Sequence, residues 1–143
     1  MHLRQGHSRD AIAIGDLWFD SWLSTKPANP IVTNADLVER ASRELAGRWE
    51  VTVAELDGKL LGFLAVAGAE QRLDQLYVTP TAQSRGIGAE LLNVAKRRFP
   101  SGFWLKVDAT NDRAKTFYER QGLTLTRTEI EDGRTRMIYS FAP

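Results

Sequence analysis

A short glycine-containing loop offers the clearest chemistry in this chain. Residues 83–88 read Gln83-Ser84-Arg85-Gly86-Ile87-Gly88, after an apolar run that ends at Val78 and before a helical pattern that begins near Ile87. Glycines at a strand-to-helix junction let backbone N–H groups approach a ligand closely. The first helical turn adds unpaired N–H donors and the positive end of the helix dipole. The sequence therefore predicts a seat for an anion, most often a phosphate, at residues 83–89.

The glycine spacing does not by itself identify the phosphorylated ligand. A dinucleotide-binding fingerprint needs a third glycine where Leu91 stands, and it expects the loop in the first strand–helix unit. A P-loop needs Gly-Lys followed by Ser or Thr, which is absent here. Gly86-x-Gly88 alone is also compatible with a tight turn that only packs a helix against a strand.

The spacing of apolar residues predicts the elements that position this loop. A 3.6-residue period predicts two leading helices, the first capped by Ser8 and ended by Pro27 and Pro30, the second beginning at Thr33 or Asn34. Alternating or continuous apolar runs predict six strands, at about 49–54, 60–67, 72–78, 103–107, 123–130 and 134–141. Two further helices are predicted, at about 87–99 and 111–122.

The resulting order, α-α-β-β-β-α-β-α-β-β, predicts an α/β (α+β) fold. Three strands meander before the first crossover, so we expect a mixed, mostly antiparallel sheet of about six strands with helices on both faces. A length of 143 residues suits a single domain over 1–143.

Composition excludes several classes of function. The net charge of +1 gives no support for binding to nucleic acid or to an anionic membrane. The absence of cysteine excludes disulfides, cysteine–zinc sites and a cysteine nucleophile. His2 and His7 lack the partners of a metal site, so no metal is expected. Since no signal-like core or membrane-length apolar run is visible, we expect a cytoplasmic protein.

Three motifs in sequence order carry a resemblance to a known family. They are Leu76-Tyr77-Val78-Thr79-Pro80, Gln83-x-x-Gly86-x-Gly88, and a segment from Asn111 through Phe117-Tyr118-Glu119-Arg120-Gln121-Gly122. Together they resemble the GCN5-related N-acetyltransferase (GNAT) superfamily, over nearly the whole chain. The resemblance implies that acetyl-CoA donates an acetyl group to a primary amine, which attacks the thioester directly.

The resemblance also implies where acetyl-CoA binds. Backbone groups at a bulge would pair with the pantetheine arm, and they belong to Leu76, Tyr77 and Val78. A loop would wrap the pyrophosphate, and it comprises Gln83, Ser84, Arg85, Gly86, Ile87, Gly88 and Ala89. Asn111 would contact the cofactor arm, and Arg85 and Lys115 are candidate phosphate contacts. The family often has glycine where Ser84 stands, so a serine is tolerable there only if its backbone is unstrained.

Two side chains are predicted to act in catalysis. Tyr118 would lie near the thioester sulfur, and a phenol of pKa about 10 stays protonated at neutral pH and can donate to a departing thiolate. The N–H of Val78 is a candidate donor to the carbonyl oxygen. Asp74 is the predicted general base, with Glu70 as the weaker alternative. A third possibility is that no dedicated base exists.

The acceptor is predicted from the family's usual arrangement, in which the first two helices and the last hairpin build its site. Here these are about Asp16 to Asn34 and Glu129 to Arg136, and Arg134 and Arg136 are candidates to hold an acceptor carboxylate. We expect a small-molecule amine. The alternatives are a non-catalytic acyl-CoA-binding module on the same fold and an enzyme that acetylates aminoacyl-tRNA. A homodimer through end strands or the last hairpin is also expected by family analogy.

Overall fold

The computed structural model describes residues 1–25 and 32–143. Within these residues the chain forms seven strands and four helices: β1 (His2–Gln5), α1 (Ala11–Ser24), α2 (Asn34–Leu45), β2 (Trp49–Leu56), β3 (Lys59–Ala67), β4 (Arg72–Val78), α3 (Ile87–Arg98), β5 (Phe103–Asp108), α4 (Asp112–Arg120), β6 (Thr124–Glu131) and β7 (Arg134–Phe141). The predicted loop at Pro27 and Pro30 lies outside the described residues.

The strands form one mixed sheet in the order β1-β2-β3-β4-β5-β7-β6. All neighbouring pairs are antiparallel except β4 and β5, which are parallel. The predicted α/β class and mostly antiparallel sheet are confirmed, but the count of about six strands is too low by one. The missed strand is β1, whose four residues carry no apolar alternation. Arg4 holds it in place through ion pairs with Asp10 and Glu55.

Two apolar cores lie on opposite faces of the sheet. The first packs α3 and α4 against the sheet and includes Leu91, Leu105, Tyr118 and Tyr139. The second packs α1 and α2 against the other face. Its aromatic centre is Trp18, which lies 5.5 Å from Trp49 and 6.1 Å from Phe63 between ring centroids. Phe19 and Trp22, the other aromatic residues of α1, are partly buried against this core.

The outer strand β6 forms one edge of the sheet. Leu125 and Ile130 are exposed on it, 43% and 79% respectively. The register with β7 shifts between Leu125 and Arg127, which marks a bulge, and bulges together with charged side chains protect an edge from pairing with another strand. The homodimer through end strands stays a prediction.

Candidate active site

A cleft opens between the two parallel strands at the centre of the sheet. β4 and β5 share the pair Arg72–Trp104, and the Trp104 N–H donates to the Gln71 carbonyl at 3.2 Å. In the described part of the chain, the two strands make no pair beyond this point. The backbone groups of residues 73–78 that face β5 therefore have no strand partner, and an edge of this kind can accept an extended ligand as an added strand.

Backbone alternation shows which groups at the end of β4 face the cleft. The Thr79 N–H donates to the Leu61 carbonyl of β3 at 2.8 Å. Since successive residues of a strand point their amides to opposite edges, the amide of Val78 points away from β3, and so does that of Leu76. The Val78 carbonyl instead accepts hydrogen bonds from Ser21 Oγ at 3.2 Å and Gln83 Nε2 at 3.0 Å. The predicted Val78 N–H donor thus lies on the cleft edge.

The bulge in β4 lies at Asp74, upstream of the position that the resemblance implies. Ala65 pairs with Gln75 and Val66 pairs with Leu73, so Asp74 is the extra residue. The prediction of a bulge at Leu76–Val78 is therefore wrong. Beyond Asp74 the strand is regular.

Regular alternation after the bulge sends the side chains of β4 to both faces of the sheet. Leu76 and Val78 pack with the core under α3 and α4, whereas Tyr77 packs with the core under α1 and α2. All three are half-buried, although β4 is a central strand.

The hydrogen bonds of Asp74 favour a structural role over that of a general base. The Trp49 indole N–H donates to Asp74 Oδ2 at 2.9 Å, and Arg72 forms an ion pair with Oδ1. The carboxylate side chain is only 9% exposed. Both oxygens are therefore engaged where the bulge forms. Glu70, the weaker alternative, is exposed in the short helical turn Gly68–Glu70 at the opposite end of β4 from Val78.

The glycine loop presents unpaired amides at the start of α3. Glu90 N–H is the first to reach back into the helix, to the Gly86 carbonyl at 3.1 Å, so the N–H groups of Ile87, Gly88 and Ala89 precede the intrahelical ladder. Gly86 caps the helix with φ +81°, a conformation that glycine adopts without steric cost. The Gln83 side chain fastens this loop to the end of β4 through its hydrogen bond to Val78.

Ser84 and Arg85 are the two remaining residues of the loop for which the sequence made a prediction. Ser84 has φ +69°, so the condition of an unstrained backbone at this serine is not met. The loop makes a left-handed turn here that a non-glycine residue adopts at some cost. Arg85 is exposed and has no ion pair within the described residues, which leaves its guanidinium available to an anion on the loop.

Tyr118 lies buried near the C-terminal end of α4. Its side chain is 7% exposed, and its ring meets that of Phe117 edge-on at 5.2 Å. Burial raises the pKa of the Tyr118 phenol above its ordinary value, and the Tyr77 phenol raises it further. Among the described residues its hydroxyl has no hydrogen-bond partner. The phenol therefore stays neutral and is free to donate.

The other two residues implied on α4 are partly engaged by the protein. Asn111 caps the helix, since its Oδ1 accepts from the Ala114 N–H at 3.2 Å; its amide NH₂ remains as a donor. Lys115 Nζ donates to the Ala109 carbonyl at 2.7 Å and pairs with Asp112 at 3.1 Å. A phosphate contact by Lys115 would require it to leave these partners.

The expected acceptor side lies on the face of the sheet that carries α1 and α2. Asp16 accepts a hydrogen bond from Asn34 Nδ2 at 2.9 Å, which joins the two helices, while Asp20 is exposed. Arg134 Nε donates to Asp108 Oδ2 at 2.9 Å. The Arg136 Nε atom is buried and has no hydrogen-bond partner among the described residues, which costs about 1–3 kcal/mol for such a donor.

Ser21 is a residue of the site that sequence reasoning missed. Its side chain is 1% exposed, and its hydroxyl joins α1 to the Val78 carbonyl at the cleft. A lone serine among the aromatic residues of α1 carries no sequence signal for this contact. Among the described residues, no group of three or more metal-ligating side chains is assembled. No helix in that part of the chain is long and apolar enough to cross a membrane.

Comparisons with known proteins agree with this geometry. The model of an acetyltransferase (GNAT) domain matches residues 25–138. The peptidyl-lysine N-acetyltransferase YiaC of Escherichia coli is 32% identical over 133 residues, which cover 91% of this chain and 88% of the relative. A mycothiol acetyltransferase of Streptomyces griseus is 33% identical over 113 residues, but the match covers only 36% of that protein. The structure of the PaiA N-acetyltransferase from Thermoplasma acidophilum, in complex with coenzyme A, has a TM-score of 0.73, 18% identity, and 98% coverage of both chains.

Proposed function

The chain belongs to the GNAT family of acetyltransferases and is an acyltransferase, and from this premise we propose that it transfers the acetyl group of acetyl-CoA to the primary amine of a small molecule. One observation carries the proposal: the unpaired edge of β4 leads, through the short turn Pro80–Ala82, into a loop of unpaired amides at the N-terminus of α3. A strand edge and an anion seat in series suit a ligand that has amide groups along an arm and a pyrophosphate at its end.

The residues that would hold acetyl-CoA follow from this arrangement. Backbone groups of Leu76 on the cleft edge can pair with the amides of the pantetheine arm, and the Val78 N–H remains for the acetyl end, since the Val78 carbonyl is occupied by Ser21 and Gln83. The N–H groups of Ile87, Gly88 and Ala89 can hold the pyrophosphate, with Arg85 adding charge. When bound there, acetyl-CoA supplies an acetyl group activated as a thioester.

Backbone and side-chain groups at the cleft can then assist direct attack of the amine on the thioester. The amine nitrogen bonds to the acetyl carbonyl carbon, the carbon–sulfur bond breaks, the amine loses a proton and the departing sulfur gains one. The Val78 N–H can donate to the carbonyl oxygen. The Tyr118 hydroxyl is neutral and has no hydrogen-bond partner within residues 1–25 and 32–143, so it can donate to the sulfur. Since Asp74 is occupied by Trp49 and Arg72, we propose that the amine loses its proton to solvent or to water near the cleft.

Thermal unfolding with acetyl-CoA, free CoA or NAD⁺ tests the donor site. A ligand at about 100 times its Kd adds about 2.7 kcal/mol to the free energy of unfolding, which for a chain of this size raises the Tm by roughly 5–10 °C. We expect this rise with acetyl-CoA and CoA but not with NAD⁺. No rise with either CoA compound would refute the proposed donor site.

Turnover is then measured by the release of CoA thiol with a panel of amines. Transfer to a small amine is the expected result. Binding of acetyl-CoA without thiol release on any amine would instead favour a non-catalytic acyl-CoA-binding module. Acetylation of lysine-containing peptides alone would move the acceptor from small molecules to proteins, which is the activity that the name of the Escherichia coli relative states for that protein.

A further inference from the structure

Arg136, on the face of the sheet that carries α1 and α2, has unused hydrogen-bonding capacity. On β7, Met137, Tyr139 and Phe141 pack toward α3 and α4. Alternation along a strand therefore sends the side chains of Arg134 and Arg136 to the opposite face, the one that carries Tyr77, α1 and α2. Arg136 pairs in register with Asp108 at the end of β5, next to the cleft.

The charges around Arg136 do not satisfy its guanidinium. Its nearest carboxylate oxygen is Glu131 Oε2, 3.6 Å from Nη1, and Glu131 is held more closely by Lys106. The Nε atom is buried with no acceptor among the described residues. The neighbouring arginines on the same face differ, because Arg134 Nε donates to Asp108 and Arg127 Nε donates to Glu129, each at 2.9 Å.

Arg136 faces the rim of the cleft together with other cations. Burial raises the pKa of the Tyr77 phenol, and the positive charges of Arg136, Arg40 and Arg134 oppose that rise. This agrees with the strand alternation, which places Arg134 and Arg136 on the face of the sheet that carries Tyr77. Arg40 lies 5.4 Å above the ring of Trp18, on the same face. The carboxylates on this face are held by other cations, Asp108 by Arg134, Glu129 by Arg127 and Glu131 by Lys106. The guanidinium of Arg136 therefore keeps capacity for an anionic group, and a planar guanidinium matches a carboxylate best.

From this geometry we propose that the acetyl acceptor is a small amine that carries a carboxylate, and that Arg136 binds this carboxylate. The proposal rests on the proposed function, since it names the substrate class of the same site. The Arg136 side chain is 25% exposed although Nε is buried, so its Nη groups hold the acid group. This contact directs the amine of the acceptor toward the cleft and the Val78 N–H.

Paired acceptors test this directly, since each pair differs only in the acid group. The panel consists of α- and ω-amino acids and their carboxamides, with thiol release measured at saturating acetyl-CoA. We expect kcat/KM for the acids to exceed that for the amides on the order of tenfold or more, since a charge-assisted bidentate contact is lost in the amide. In R136M this preference should fall to about one through a rise in KM for the acids, and R136K should restore part of it.

Arg127 provides the matched control, because R127M removes an arginine of the same face that is 60% exposed and already paired with Glu129. It should keep the preference for acids. The acetyl-CoA-induced rise in Tm should be the same in wild type, R136M and R127M, which shows that R136M is folded and loaded.

Three outcomes overturn the carboxylate assignment. They are equal use of acids and amides by the wild type, an unchanged preference in R136M, and no acetylation of any acid although acetyl-CoA binds. If acetyl-CoA itself fails to bind, the proposed function fails instead, so the two failures are distinguishable.

Discussion

Replacement of Tyr118 by phenylalanine separates the chemistry of this side chain from its packing. The ring is 7% exposed and contacts Phe117, and phenylalanine keeps these contacts. The hydroxyl has no hydrogen-bond partner among the described residues, so its loss leaves no protein group unsatisfied. We therefore expect Y118F to change the Tm by less than about 2 °C and to bind acetyl-CoA like the wild type.

The expected loss of rate follows from the environment of the phenol. A positioned general acid contributes typically about 10²–10⁴-fold. Burial raises the pKa of Tyr118 further above that of a thiol, and a weaker acid contributes less to proton transfer. We therefore expect the low end of the range, a fall in kcat of about 10²-fold.

Tyr139→Phe is the matched control, since it removes a phenolic hydroxyl from a neighbouring buried ring 6.5 Å away. The Tyr139 hydroxyl donates to Glu119 Oε2 at 2.6 Å. Burial and this hydrogen bond raise the pKa of Tyr139 to about 12. Loss of the bond should cost about 1–1.5 kcal/mol, because the exposed Glu119 can be rehydrated. Y139F should therefore lower the Tm by roughly 3–6 °C and leave kcat near the wild-type value.

The assay is thiol release at saturating acetyl-CoA and acceptor, with the Kd for acetyl-CoA measured by calorimetry and the Tm by circular dichroism. The opposite pattern in the two variants is the expected result. If Y118F keeps the wild-type kcat, the assignment of Tyr118 as donor to the sulfur is refuted. A loss of rate together with a large fall in Tm would mean that the hydroxyl is structural.

Four further substitutions test other parts of the structure. Gly86 and Gly58 both have φ near +80° with open space around them, so replacement of either by alanine should cost about 1–2 kcal/mol of stability. G86A alone should also raise the Kd for acetyl-CoA. Equal Kd values for the two variants would contradict the proposed anion site. Arg4 lowers the pKa of Asp10 to about 2, so above pH 4 the ionised carboxylate adds about 2 kcal/mol to the free energy of unfolding. This contribution is lost as the pH falls from about 4 to 2. Urea unfolding should therefore show D10N less stable than the wild type at pH 7 and equal to it near pH 2. D74N should lower the Tm but keep kcat within about threefold, whereas a fall of about 10²-fold with a flattened pH profile would instead establish Asp74 as a general base.

The features that could be predicted from sequence are those that neighbouring residues determine. Asp57 and Gly58 form a two-residue hairpin turn with φ of +52° and +78°, as their types predict. Helix α3 begins at Ile87 directly after Gly86, as the glycine spacing predicts. In each case the backbone conformation follows from side-chain sterics within a few residues.

The features that were missed depend on residues far apart in sequence. The bulge at Asp74 is held by Trp49, 25 residues away, and β1 is held by the pairing of Arg4 with Glu55, 51 residues away. Lys115 contacts the Ala109 carbonyl only six residues away, but this contact depends on how the chain turns into α4. A sequence pattern reports the types of these residues but not which tertiary contact each one will prefer.

The position of the bulge explains how one strand can serve both substrates. After Asp74 the strand is regular, so Leu76 and Val78 face the core under α3 and α4 while Tyr77 faces α1 and α2. The cleft edge of the backbone lies between these faces. Tyr118 lies on the first face, and the proposed carboxylate contact Arg136 lies on the second. Loss of Tyr118 should therefore act on kcat with the donor site intact, and loss of Arg136 on the KM of the acceptor, because the sheet edge separates the two.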